Sequence, residues 1–83
     1  MIPELFFYPT SAPARACELT FRMAGIDHKL TTLDLYKGET RTPQFLAINP
    51  AHCVPTLKDG DLVIWESRAI MQYVLNKYSP ASR

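Results

Sequence analysis

The sequence predicts an α/β domain with element order β-α-β-α-β-β-α, a four-stranded mixed sheet and three helices. Three observations carry that expectation. An aromatic run ended by a proline, Leu5-Phe6-Phe7-Tyr8 before Pro9, leads at once into a segment of helical period. A stretch of leucines and threonines, with the β-branched pair Thr31-Thr32 at its centre, follows at residues 28–35. Two short apolar stretches then flank Asp59-Gly60, a preferred pair for a tight hairpin, and open into a second amphipathic segment.

Each element has a local cause. Leu5-Phe6-Phe7-Tyr8 is apolar throughout, as a buried strand requires. Ser11 or Ala12 stands at a helix cap, and Pro13 falls in the first turn, where its missing N–H is not needed. Ala16, Leu19, Thr20 and Met23 recur at i, i+3, i+4 and i+7, with Glu18 and Arg22 as a favourable pair and Gly25 as the stop. Residues 28–35 read as the second strand, and a polar loop spans 36–41. Thr42-Pro43 starts a short helix through Phe45, Leu46 and Ile48. Asn49-Pro50 ends it, because a residue before proline is pushed out of the α region. Residues 54–58 and 61–65 form the hairpin around Asp59-Gly60. Ser67 caps the last helix, whose face is Ala69, Ile70, Tyr73, Val74 and Tyr78, and which stops near Ser79-Pro80. A strand-helix-strand unit implies a parallel pair, and the hairpin adds an antiparallel one. That order is the thioredoxin-like architecture.

Composition bounds the function classes. Eighty-three residues make one small domain, which removes only about 60% of its unfolded surface from water. With 47% hydrophobic residues and a net charge of +1, the chain is globular rather than disordered. No basic stripe supports nucleic-acid binding, and no apolar run approaches the roughly 20 residues of a membrane span. The N-terminus lacks the basic n-region of a secretory signal. Cys17 and Cys53 are too few for a disulfide framework, although one disulfide is compatible with them. His28 and His52 lie far apart and no zinc-ligand spacing is present, so no metal is expected. The compartment expected is reducing and cytoplasmic.

Two places carry chemistry. Ser11 follows the first strand and Ser67 the fourth, each at the start of a helix. Helix N-termini beyond strand ends offer free N–H groups and a positive dipole end to an anion. Serine is equally a favoured cap, so each reading stays open for each serine. In the stretch Asn49-Pro50-Ala51-His52-Cys53-Val54-Pro55-Thr56-Leu57, Pro55 directly precedes a hairpin strand, where a proline removes a ladder donor. A cis Val54–Pro55 bond would turn the chain and leave the Val54 backbone free to pair with an extended ligand; an ordinary trans proline at a strand start is the alternative.

Three motifs together, Tyr8-Pro9-Thr10-Ser11-Ala12-Pro13-Ala14-Arg15, residues 49–57 and Trp65-Glu66-Ser67-Arg68-Ala69-Ile70, resemble the N-terminal domain of glutathione transferases, closest to the insect delta and epsilon classes. The resemblance covers essentially the whole chain. It implies that glutathione is the co-substrate and that Ser11 is the catalytic serine, its hydroxyl bonded to the glutathione sulfur. It further implies that the Val54 backbone pairs with the cysteinyl part beside a cis Pro55. Glu66 and Ser67 would hold the γ-glutamyl end, Arg68 would add charge there, and His52 would lie near the glycyl end. Cys53 falls within the same binding loop. Departures from the family pattern are Ala14 for a common cysteine, Thr40 for a histidine that faces the glycyl carboxylate, and Thr10 for a glycine. Thr10 and Tyr8 are rival hydroxyls for activating the thiol, although Tyr8 continues an aromatic run and reads first as packing. A thiol-disulfide role is disfavoured, since Ser11-Ala12-Pro13-Ala14 occupies the place of a redox cysteine; Cys17 reads as a core residue.

Residues 1–80 are thus expected to be a glutathione-binding domain, and residues 81–83 the start of a linker to an absent all-helical domain. What the resemblance implies is a cytoplasmic transferase, a homodimer in its full-length form, that attacks small hydrophobic electrophiles in detoxification. The alternative is a non-catalytic glutathione-binding or protein-assembly module of the same fold.

Overall fold

The computed structural model describes residues 2–78; the expected stop at Ser79-Pro80 and the linker at 81–83 lie outside them. The elements are β1 (Glu4–Phe7), α1 (Ala12–Met23), β2 (Lys29–Thr32), α2 (Pro43–Ile48), β3 (Thr56–Asp59), β4 (Leu62–Ile64) and α3 (Ser67–Tyr78). The strands form one mixed sheet in the order β2-β1-β3-β4. β1 pairs parallel with β2 and antiparallel with β3, and β3 pairs antiparallel with β4. This is the thioredoxin-like arrangement that the periods and turns predict.

Leu5 and Phe6, on opposite faces of β1, are both buried, which explains the apolar run that begins at Leu5. Leu5 points toward α1 and α3 with Leu57, and together with Cys17, Phe21, Ile26, Ile70 and Val74 it builds the main core. Phe6 points the other way and meets Phe45 of α2 edge to face, with centroids 5.2 Å apart.

The structure moves four local details. On α1 the buried stripe is Ala14, Cys17 and Phe21, whereas Leu19 and Met23 are 54% and 79% exposed. Both stripes have helical spacing. The small Ala14 and Cys17 admit close approach of α1 to its neighbours, and the Phe21 ring fills the core beside them. β2 is only four residues long, because the Asp34 carboxylate accepts from the N–H groups of Tyr36 (2.9 Å) and Lys37 (3.3 Å). Those bonds cap a 3-10 turn at Leu35–Lys37 and take the chain off the sheet; a second such turn follows at Glu39–Arg41. In the hairpin Asp59 pairs with Leu62, so the turn residues are Gly60 and Asp61 rather than Asp59 and Gly60. Gly60 supplies the left-handed φ of 63°, and Asp59 stays in the strand because α3 grips its carboxylate. Finally, Ile70 N–H donates to the Glu66 carbonyl at 2.9 Å, so Glu66 holds the cap position of α3 and Ser67 is its first helical residue.

Thr42 does cap α2, accepting from Phe45 N–H at 3.3 Å, and Asn49 ends that helix in an extended conformation. After α1 the chain reverses through a double closure: Gly25 N–H donates to Arg22 O (3.2 Å) and Ile26 N–H to Phe21 O (2.9 Å). Gly25 holds φ at 68°, and Ile26 packs back with Phe21 in the core.

Candidate functional site

Strand register brings three separated segments to one end of the sheet. Residues 8–11 leave the carboxyl end of β1. Phe6 pairs with Thr56, so residues 52–55 enter β3 beside that same end. Leu57 pairs with Ile64, which sends Trp65, Glu66 and Ser67 out of β4 there too. The predicted residues of the second and third segments lie 41–57 positions beyond Ser11 in the chain but share this end of the sheet.

Ser11 is the cap of α1, with φ −87° and ψ 109°. Its Oγ accepts from Ala14 N–H at 3.2 Å, and its own N–H donates to Tyr8 O at 3.0 Å. Both open readings of Ser11 are chemically compatible. A hydroxyl that accepts from the helix keeps its own proton to donate to an anion. Pro13 brings no N–H, so the first turn has one fewer group to satisfy. Arg15 Nη1 donates to Pro9 O at 2.6 Å and closes the loop from outside.

The second segment is a loop built around a side chain. Val54–Pro55 is cis, and His52 holds a left-handed φ of 43°. His52, Cys53 and Val54 are half-buried and Pro55 is buried. No backbone hydrogen bond to another described residue engages Val54. Asn49, fully buried, donates through Nδ2 to Thr56 Oγ1 (2.9 Å) and to Cys53 Sγ (3.6 Å), and its Oδ1 accepts from Ala51 N–H (2.9 Å). Thr56 Oγ1 donates in turn to Cys53 O at 2.6 Å. Sequence reasoning read Asn49 only as a helix stop. The visible signal was an Asx residue two before a backbone N–H that it could accept from.

The third segment opens α3. Glu66 and Arg68 are exposed and Ser67 is half-buried. An apolar recess of about 240 Å³ lined by Val63, Ile64, Trp65 and Glu66 lies beside this helix start and excludes Ser11 and Val54. Cys17 reaches across from α1, its Sγ donating to Ser67 O at 3.7 Å. Burial pushes the Cys17 thiol up to about 11, so it stays protonated and keeps that donor. Both cysteines are free.

The rival hydroxyls are placed differently. Tyr8 is half-buried, and its ring meets Tyr36 edge to face at 5.9 Å. Desolvation first, and then the Asp34 carboxylate, hold the Tyr8 phenol above its ordinary value, so it remains neutral. Thr10 is exposed, and Thr40 is buried in the second 3-10 turn. Among the described residues no group of three or more His, Cys, Asp and Glu side chains is placed to hold a metal ion, and no helix is long and apolar enough to cross a membrane.

Known proteins share this fold. The family model described as the glutathione S-transferase N-terminal domain matches residues 3–76. Glutathione S-transferase D7 of Anopheles gambiae is 42% identical over 78 residues, which are 94% of this chain and 36% of that protein. A delta-class glutathione transferase of Nilaparvata lugens superposes with a TM-score of 0.86 at 43% identity, over 92% of this chain and 36% of its own. A glutathione transferase homolog of Drosophila mojavensis, solved with bound glutathione, gives a TM-score of 0.89 at 36% identity, over 93% of this chain and 35% of its own. The chain therefore spans about a third of the length of the relatives it matches. With a family model covering nearly all of it and relatives of this similarity, the chain belongs to the glutathione S-transferase family, in which it corresponds to the N-terminal domain.

Proposed function

We propose that residues 1–80 bind glutathione along the sheet end where the three segments meet, and that Ser11 activates its thiol. The observation that supports this reading is the register, which brings the Ser11 hydroxyl, a Val54 backbone without a partner among the described residues, and the start of α3 to one end of the sheet. The Val54 N–H and C=O pair with the cysteinyl backbone as an added strand would. Glu66 meets the γ-glutamyl ammonium, while the Ser67 hydroxyl, the α3 N-terminus and Arg68 meet its carboxylate. His52 stands toward the glycyl end, with Cys53 beside it in the same loop.

The chemistry follows from the thiol. A free thiol titrates near about 8.5, and only the thiolate is a strong nucleophile. The Ser11 hydroxyl and the positive end of α1 favour the anion without Ser11 being deprotonated, which shifts the bound thiol toward thiolate at neutral pH. The thiolate sulfur then forms a bond to an electrophilic carbon, and the leaving group departs with the electron pair. In this reading residues 81–83 lead to an all-helical domain that supplies most of the electrophile site. The whole protein is then a cytoplasmic, homodimeric transferase acting on small hydrophobic electrophiles in detoxification. Exposed Leu19 and Met23 on α1 support such a missing partner domain.

The test uses Trp65, the one tryptophan, which adjoins Glu66. Glutathione titration should change its fluorescence saturably in this chain. Conjugation of a chromogenic aryl halide should appear when the chain is extended by its natural C-terminal sequence. Binding without conjugation in the extended protein would leave the non-catalytic module; no binding in either would overturn the reading.

A further inference from the structure

Asn49 is the least expected residue of the site region, being fully buried, polar, and bonded to three different places in the next seven residues. A buried amide is costly to leave unpaired, so its bonds dictate where its partners sit. Oδ1 fixes Ala51, and Nδ2 fixes Thr56 and the Cys53 sulfur. Thr56 is itself anchored, because it is the first residue of β3 and pairs with Phe6 of the central strand β1. Its hydroxyl passes the constraint back to the Cys53 carbonyl at 2.6 Å. Among the described residues only one backbone bond within the loop between α2 and β3, His52 N–H to Asn49 O at 3.0 Å, otherwise braces it.

We infer that Asn49, acting through Thr56, is a positioning residue that aims the Val54 backbone for ligand pairing. The inference rests on the glutathione reading above. Asn49 is fully buried and its side-chain amide is bonded only within the loop and to Thr56 among the described residues, so it acts through them rather than by contact with a ligand. Its contribution is preorganisation, since a loop ordered before binding spends no affinity on being ordered. Because the aimed group is backbone, the effect concerns how tightly the tripeptide is held and leaves the sulfur's protonation to Ser11.

The experiment compares Thr56→Val, which keeps shape but removes the hydroxyl, with Thr56→Ser, which keeps the hydroxyl, and with Asn49→Ala. Each is titrated with glutathione and with S-methylglutathione, and the pKa of bound glutathione is read from thiolate absorbance. Thr56→Val should weaken both ligands by the same factor, about tenfold, the worth of one or two buried hydrogen bonds. Thr56→Ser should restore affinity, and the bound-thiol pKa should not move in any folded variant. Asn49→Ala should show the Thr56→Val pattern if it folds, and Thr56→Val decides the matter if it does not. Unchanged affinity in folded Thr56→Val, or a shift of thiol pKa along with affinity, overturns the positioning role. If the unsubstituted chain binds neither ligand, the glutathione reading itself falls and takes this inference with it.

Discussion

Ser11 asks one hydroxyl to serve two partners, because its lone pair takes Ala14 N–H while its proton is left for a ligand. The two duties separate by substitution. Ser11→Ala removes both, so thermal unfolding should show a loss of about 1 kcal/mol, as for a lost cap, together with a raised bound-thiol pKa and slower conjugation. Ser11→Asp keeps a strong capping oxygen but sets a negative charge against the thiolate. It should therefore retain most of the stability while still losing activation. If Ser11→Ala leaves the bound-thiol pKa and turnover in place, the donor is Thr10 or Tyr8 instead. At this scale the sequence was legible where a residue type has few uses. Pro13 marked the start of α1 and left Ser11 or Ala12 as its cap, and Pro55 before a strand marked a cis or trans choice; the structure has Ser11 as the cap and Pro55 cis. The role of Asn49 was not legible, because an asparagine before proline has a sufficient local explanation as a helix stop, and its network forms only when Thr56 is folded beside it.

Among the elements, the end of α1 and the grip of α3 on the hairpin decide the geometry. Gly25 adopts φ 68° with open space around the position of a Cβ, so a substitution there meets backbone strain and nothing else. Gly25→Ala should cost about 1 kcal/mol in denaturant unfolding, without altering ligand affinity. At the far end of the sheet, Asp59 accepts from Tyr73 OH and Tyr78 OH (each 2.6 Å) and from Lys77 Nζ (3.0 Å). Burial alone would raise the Asp59 carboxyl, but the two phenols and the ammonium outweigh it and hold it below the usual range. A carboxyl lowered by folding contributes stability above its unfolded pKa, about 4, and loses it as pH falls through the folded value. Asp59→Asn should thus cost about 2 kcal/mol at neutral pH. The gap from the unsubstituted chain should narrow on acidification below about pH 4. Thermal unfolding of both proteins across that range checks it, and a gap independent of pH would remove the charged network from the account. The same grip explains why the turn lies one residue later than Asp59-Gly60 suggests. A hairpin dipeptide marks a turn's neighbourhood, but α3 determines which residue stays in the ladder.

For the whole molecule, element order and sheet type were readable because they depend on local causes repeated along the chain: prolines and glycines at boundaries, caps before apolar periods, short strand-like stretches between. Strand lengths were less so, since side-chain caps such as Asp34 end β2 early. On α1 the apolar stripe with Leu19 and Met23 is not the buried one, although Cys17 is in the core as its type suggests, and the reason is a deeper one. Two stripes of equal spacing exist on that helix, and only contact with the sheet and α3 selects Ala14, Cys17 and Phe21 over Leu19 and Met23. The selection uses size as much as polarity, which periodicity cannot see. What the amino-acid order determined by itself, then, was the succession of strands and helices and the chemical character of the groups at their ends. Only tertiary structure decided which of those groups become neighbours. Convergence of Ser11, Val54 and Glu66 is a property of strand register, and register is settled by long-range pairing that no local segment contains.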